Sequence, residues 1–139
     1  MKYEILSYDE VGYKPVVSFN GWRVAMLNYI DELEPDRIDN FQKHDLTDES
    51  FILLEGECIL FVADVDGDSI QNIEAIEMEK NKVYNIKKSV YHTHTLKKGT
   101  RVLIVENDDT SDENSPIVSV TESVTKELVR LTNKYWSSY

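Results

Sequence analysis

The chain has 139 residues, 41% hydrophobic and 29% charged, the proportions of a soluble globular protein with length enough for one domain and a real core. Fifteen basic side chains stand against 26 acidic ones, and the net charge of −11 repels phosphate backbones and anionic surfaces, arguing against nucleic-acid and membrane partners. One cysteine, Cys58, excludes an intrachain disulfide; with no basic-then-apolar leader and no apolar run near the ~20 residues of a membrane helix, the expectation is a cytoplasmic protein.

In chain order, "KPVVSF" (14–19) reads as a strand, Asn20-Gly21 as a favoured two-residue hairpin turn, and "WRVAMLNY" (22–29) as the returning strand. Alternation sets Trp22, Val24, Met26 and Asn28 on one face and Arg23, Ala25, Leu27 and Tyr29 on the other. "DELEPDRIDN" is a polar connection whose Pro35 cannot donate to a ladder. "SFILLEGECILFVAD" (50–64) predicts a second hairpin about Glu55-Gly56-Glu57, with Gly56 free to take a positive φ. "DVDGDS" (64–69) lacks the spacing and the distant bidentate glutamate of a calcium loop and reads as a solvated turn. Four more strand-like runs follow: "IEAIEM", "KVYNI", "VYHTHTL" and "RVLIVEN".

After the polar stretch 108–116 the period changes. Val120, Val124, Leu128, Leu131 and Tyr135 recur at spacings of four, four, three and four, an amphipathic helix opened by a capping box of Ser119 and Glu122. That helix either crosses an open barrel end or serves a homodimer, and Trp136 and Tyr139 near its end could meet a partner. Eight or nine short strands and one terminal helix predict an all-β antiparallel sandwich or barrel.

The three histidines mark where chemistry would sit. His92 and His94 are two apart on one strand and share a face, while His44 precedes another strand that Glu49 opens. Imidazole and carboxylate are the usual ligands of zinc, iron, nickel and copper, so His44, Glu49 and His92 would make a two-histidine, one-carboxylate set with positions left for substrate. The plainer alternatives are a polar residue opening a strand for Glu49, an exposed pair for His44 with Asp45, and lining residues satisfied by Tyr84 or Asn85 for His92 and His94.

Residues 41–96 resemble the two motifs of the cupin superfamily, small jelly-roll barrels. The first motif runs His-x-His, three or four residues, Glu, six residues, Gly; here His44, the spacer "DLTD", Glu49, "SFILLE" and Gly56 match it, with Gln42 in place of the first histidine. The second runs Gly, five residues, Pro-x-Gly, two residues, His; "NKVYNIKKSVYH" has that spacing and ends on His92, with Asn81, Lys87 and Ser89 where Gly, Pro and Gly are usual. The resemblance implies one cupin domain over 1–139: a double-stranded β-helix, or jelly-roll barrel, at about 14–107 and a C-terminal α-helix at about 119–136. It also implies one divalent metal ion (Zn, Ni, Fe or Mn) on His44, Glu49 and His92, with no organic cofactor.

A second, weaker similarity, over roughly 42–107, is to ureidoglycolate lyases: "KHD", "FILLEG", "YHTHTL" and "VLIVEN" fall where that family has Arg-His-Pro, F-I-P-L-x-G, Trp-His-His-Pro-Leu and a later apolar strand. Thr93 splits the adjacent histidine pair of that family, and both prolines are missing.

The expected function is binding of a small polar or carboxylate metabolite in the barrel, with isomerase, lyase or oxygenase chemistry as the catalytic forms. The alternatives are a ureidoglycolate lyase-like enzyme and a non-enzymatic sensor or binding barrel. A metal there would act as a Lewis acid on a carbonyl or enolate oxygen, and Fe(II) would suit dioxygen chemistry. Without metal, His92 or His94 would be the general base. Gln42, Lys43 and Tyr84 complete the expected ligand-binding set, Lys43 as the attraction for an anion.

Overall fold

The computed structural model describes residues 2–136; Tyr139 lies outside them. Ten strands run β1 Gly12–Phe19, β2 Trp22–Asn28, β3 Asn40–Gln42, β4 Glu49–Glu55, β5 Cys58–Asp66, β6 Ser69–Glu77, β7 Val83–Ile86, β8 Tyr91–Leu96, β9 Arg101–Glu106 and β10 Ile117–Ser119, followed by helix α1, Glu122–Tyr135. They form two antiparallel five-stranded sheets, β1-β2-β9-β4-β7 and β10-β3-β8-β5-β6, a jelly roll. No helix among the described residues is long and apolar enough to cross a membrane.

Period-two alternation decides which side chains enter the barrel. Ala25 and Leu27 of β2, Phe51 and Leu53 of β4, Cys58 and Leu60 of β5, Leu96 of β8, and Val102 and Ile104 of β9 form the interior cluster. Burial drives the Cys58 thiol far above its ordinary pKa, so it stays a protonated apolar side chain. The first hairpin forms as expected, with Asn20 at φ 42° and Gly21 at φ 106°.

The second predicted hairpin does not form. β4 pairs with β7 and β9, β5 pairs with β6 and β8, and the chain changes sheets at Gly56. A tight turn looks the same in sequence whether its strands pair or part; here each strand finds its partners far along the chain. The hairpin in this region is β5–β6, closed by the solvated turn at Gly67 and Asp68.

The helix neither crosses a barrel end nor keeps its apolar face for a second copy. Val124, Leu128, Leu131 and Trp136 pack on Ile59, Phe61 and Ala63 of β5, with Ile38 and Phe41, forming a second core on the outside of the β5-containing sheet. Trp136 is therefore buried within its own chain. Ser119 is not the cap: it pairs with Asn40 in β10, and Thr121 Oγ1 accepts the hydrogen bond from Val124 N instead.

Candidate functional site

Three elements bring the chemistry together inside the barrel. Glu49 opens β4 on the face that also carries Phe51 and Leu53, so the period that buries two apolar side chains buries the carboxylate. His92 enters from β8, opposite Gln42 of β3 across the ladder. His44 follows β3 and is held by its backbone, Ser89 N donating to His44 O at 2.8 Å. All three side chains are buried. Their ligand atoms lie within 4.8 Å of one another.

Both imidazoles are anchored through Nδ1. His92 Nδ1 lies 3.0 Å from Val90 O, which can only accept, so that nitrogen carries a proton. His44 Nδ1 lies 2.7 Å from Ser115 Oγ, whose hydroxyl donates to Asn114 Oδ1, so this Nδ1 also donates. Each ring then presents Nε2 to the same oxygen, Glu49 Oε1, at 2.8 Å from His92 and 3.3 Å from His44. Two neutral Nε2 lone pairs and a carboxylate oxygen repel unless a positive charge joins them. Protons on the rings or a divalent cation supply it, and Nδ1–H held by carbonyl or hydroxyl is how metal-binding histidines are oriented. The donor set therefore fits a divalent ion held by His44, Glu49 and His92.

A second group of charges faces this one. Arg23 of β2 and Glu106 of β9 are direct partners across the ladder. Glu106 Oε1 accepts from Tyr13 Oη at 2.9 Å, Arg23 Nε at 3.0 Å and Arg23 Nη2 at 2.6 Å. Glu106 Oε2 is buried without a hydrogen-bond partner, 4.0 Å from His44 Nε2. Sequence reading missed these three residues. A signal was present: Arg23 interrupts the inward face of Ala25 and Leu27, and Glu106 that of Val102 and Ile104, opposite charges on two apolar faces.

The cluster shifts its own titrations. Burial opposes ionisation of Glu49, but the hydrogen bonds from His44 and His92 prevail and hold its carboxyl well below the usual range. Burial, then the neighbouring Glu49, raises Glu106 to about 7. Burial lowers the His44 pKa, yet Glu49 and Glu106 outweigh it and the net shift is upward. Burial, then His92, lowers His94 to about 4, so His94 is neutral.

These directions predict the pH dependence of the metal-free protein. A raised folded-state pKa gives stability that is full below the unfolded value and lost as pH rises through the folded one; Glu106 and His44 both act this way. Glu49, shifted down, acts oppositely and withdraws its stability only below its ordinary value of 4.5. His94, lowered from 6.5 to about 4, opposes Glu106 and His44 below pH 6.5 and is constant above it. Thermal melts in chelator are therefore expected to show Tm falling from pH 6.5 to pH 8, and Glu106→Gln to flatten that fall. A wild-type Tm that rises over this window would contradict the assignment.

A cavity of about 460 Å³ opens onto the cluster, lined by Tyr13, Arg23, Gln42, His44, Glu49, His92, His94 and Glu106 against Leu27, Leu33 and Ile104. Four of the expected site residues besides the triad fare differently. Gln42 and His94 line the cavity, Gln42 with its amide Nε2 donating to Ser115 O at 3.1 Å and His94 with Nδ1 enclosed and unpartnered. Lys43 and Tyr84 do not line it. Lys43 pairs with Asp45 at 3.3 Å and lies over the Tyr91 ring, and the Tyr84 hydroxyl accepts from Glu79 N at 2.8 Å.

No family model matches the chain, and no curated protein does, so the ureidoglycolate lyase similarity finds no support there. Solved structures do match. Streptomyces Pac13, described as a unique nucleoside dehydratase, aligns at TM-score 0.59 and 11% identity over 88% of this chain and 97% of that one. A cupin superfamily protein from Desulfitobacterium hafniense aligns at TM-score 0.51 and 12% identity, covering 76% and 84% of the two chains. KdgF from Halomonas sp. aligns at 0.50 and 10%, covering 73% and 81%. At these identities the likeness concerns the fold, and with the two sheets described above it is decisive there: the chain has the cupin jelly-roll fold. The backbone agrees at the motif positions, since Gly56, Asn81 and Ser89 all have φ between 67° and 83°, the left-handed region that the glycines of the two motifs favour.

Proposed function

We propose that this protein is a metal-binding cupin that takes a small polar metabolite into its barrel, with one divalent ion (Zn, Ni, Fe or Mn) on His44, Glu49 and His92. The observation that carries this reading is the convergence of two Nδ1-anchored imidazoles on one buried carboxylate oxygen. Bound there, the ion would supply Lewis acidity toward a ligand carbonyl or hydroxyl oxygen.

The chain's own residues do the rest. Leu27, Leu33 and Ile104 exclude water from one side of the cavity, and Gln42 and His94 offer hydrogen bonds to a ligand. His94, with its pKa near 4, is a weak base, so it serves to bind rather than to take a proton at neutral pH. His92, engaged through both nitrogens, is a ligand rather than the general base. Arg23 is the only Lys or Arg among the described lining residues, and Glu106 already neutralises it. The cavity therefore suits an uncharged, hydroxylated ligand; a carboxylate would depend on the ion for its countercharge.

The test is metal content, by mass spectrometry, on tag-free protein purified without chelator or added metal, followed by reconstitution with each of the four ions. Near-stoichiometric metal and a rise in Tm on reconstitution support the reading. No uptake of any of them overturns it. Among metal-loaded samples, ligand-induced stabilisation without product would mark a binding barrel rather than an enzyme.

A further inference from the structure

Gln42 stands where the first histidine of the motif would be, and its amide is turned to the backbone of Ser115. A neutral amide is a weak fourth donor. A stronger one stands across the cavity. Glu106 is 5% exposed, and its two oxygens are treated unequally: Oε1 accepts three hydrogen bonds from Tyr13 and Arg23, while Oε2 is enclosed with none. A buried carboxylate oxygen without a partner is costly, and the nearest carboxyl, Glu49, offers it only another acid. This oxygen faces the cluster, 4.0 Å from His44 Nε2.

We propose that Glu106 is the fourth ligand of the metal centre, its Oε2 completing a set of two imidazoles and two carboxylates in place of the Gln42 position. The inference rests on the metal reading above and deepens it. Two donors bound to one ion at about 2.0–2.2 Å lie at most about 4.4 Å apart, and Oε2 meets this toward His44 Nε2. Glu106, outside the group whose ligand atoms all lie within 4.8 Å of one another, would close on the ion by turning its carboxylate. A dication relieves the repulsion between Glu49 and Glu106 on the side of Glu106 that Arg23 does not reach. Tyr13 and Arg23 then act as the outer shell, holding Oε1 so that Oε2 points at the ion. An extra oxygen donor in place of an imidazole shifts the site toward harder ions, Mn2+ and Fe2+, relative to an all-imidazole site.

The test is calorimetric titration of the full chain with Mn2+, for wild type, Glu106→Gln and Gln42→Ala. The proposal expects Glu106→Gln to weaken Mn2+ binding by more than about tenfold and Gln42→Ala by less than about threefold. Wild-type affinity in Glu106→Gln, or the reverse ranking of the two variants, overturns Glu106 as a ligand and leaves the His44, Glu49 and His92 site standing. No Mn2+ binding by wild type overturns this proposal, and failure of all four ions on reconstitution overturns the parent reading as well. Should Glu106→Gln fail to fold, diffraction from Mn2+-loaded wild-type crystals at the Mn edge decides the matter. An anomalous peak about 2.2 Å from Glu106 Oε2 supports the proposal, and a peak beyond its reach overturns it.

Discussion

Glu49→Ala is expected to abolish metal uptake, with affinity falling by more than about a hundredfold, or about 2.7 kcal/mol. The expectation follows from the position of one atom. Glu49 Oε1 is the point on which His44 Nε2 and His92 Nε2 both converge, so its loss removes a ligand and the charge that draws the other two together. With the carboxylate gone, each imidazole keeps only its Nδ1 anchor, to Ser115 and to Val90. His44→Ala and His92→Ala should follow the same course. Glu32→Ala is the control, because Glu32 also lines the cavity but is absent from the converging group. Metal content by mass spectrometry and Mn2+ titration read the outcome. Equal losses in Glu49→Ala and Glu32→Ala would mean that the cavity's overall charge, not this constellation, attracts the ion.

The second large effect concerns stability. Gly56→Ala is expected to cost about 3 kcal/mol, near the sum of left-handed strain for a non-glycine residue and overpacking. Gly56 has φ 83°, and a Cβ there would stand 2.3 Å from Thr100 Oγ1 and 2.6 Å from Thr100 Cα. The backbone atom cannot swing aside as a side chain could. Thr100 is itself fixed: its Oγ1 accepts from Glu57 N and donates to Glu57 O, and its carbonyl accepts from Tyr29 N. These bonds join the sheet-changing turn to the β8–β9 turn and position the start of β9. For a domain of this size such a loss lowers Tm by about 10 °C. Gly67→Ala is the matched control, since Gly67 also has positive φ but its added Cβ would meet nothing within 4 Å. Comparable melts for the two variants would show that strain alone, not the contact with Thr100, sets the cost.

Much of the candidate site is legible in the sequence. The spacing of His44, Glu49 and Gly56, and of Asn81, Ser89 and His92, matched two motifs in order, and the backbone conformations at Gly56, Asn81 and Ser89 are those the motif glycines need. Of the residues expected at a ligand, Gln42 and His94 line the cavity. Lys43 and Tyr84 do not, because sequence neighbours of a site residue alternate to the other side of the wall or turn toward nearby partners such as Asp45 and Glu79.

Arg23 and Glu106 show where such reading stops. Each could be seen as a charge on an apolar face, yet they lie 83 residues apart, and only the antiparallel register of β2 with β9 makes them partners. The same holds for the turn at Gly56. Its glycine and its apolar flanks are local facts, but whether β4 and β5 pair with each other is decided by what β7, β9, β6 and β8 offer as competing edges.

The sequence by itself determined eight of the ten strands, all but the three-residue β3 and β10, together with the amphipathic helix and the two-histidine, one-carboxylate set, because period, turn chemistry and residue type act over a few neighbouring positions. Only the tertiary structure decided that the helix lies against the outer face of a sheet, that the chain changes sheets at Gly56, and that Glu106 turns an unpartnered oxygen toward His44. Those outcomes depend on which distant segments bury each other's apolar faces and satisfy each other's polar atoms, a competition settled over the whole chain at once.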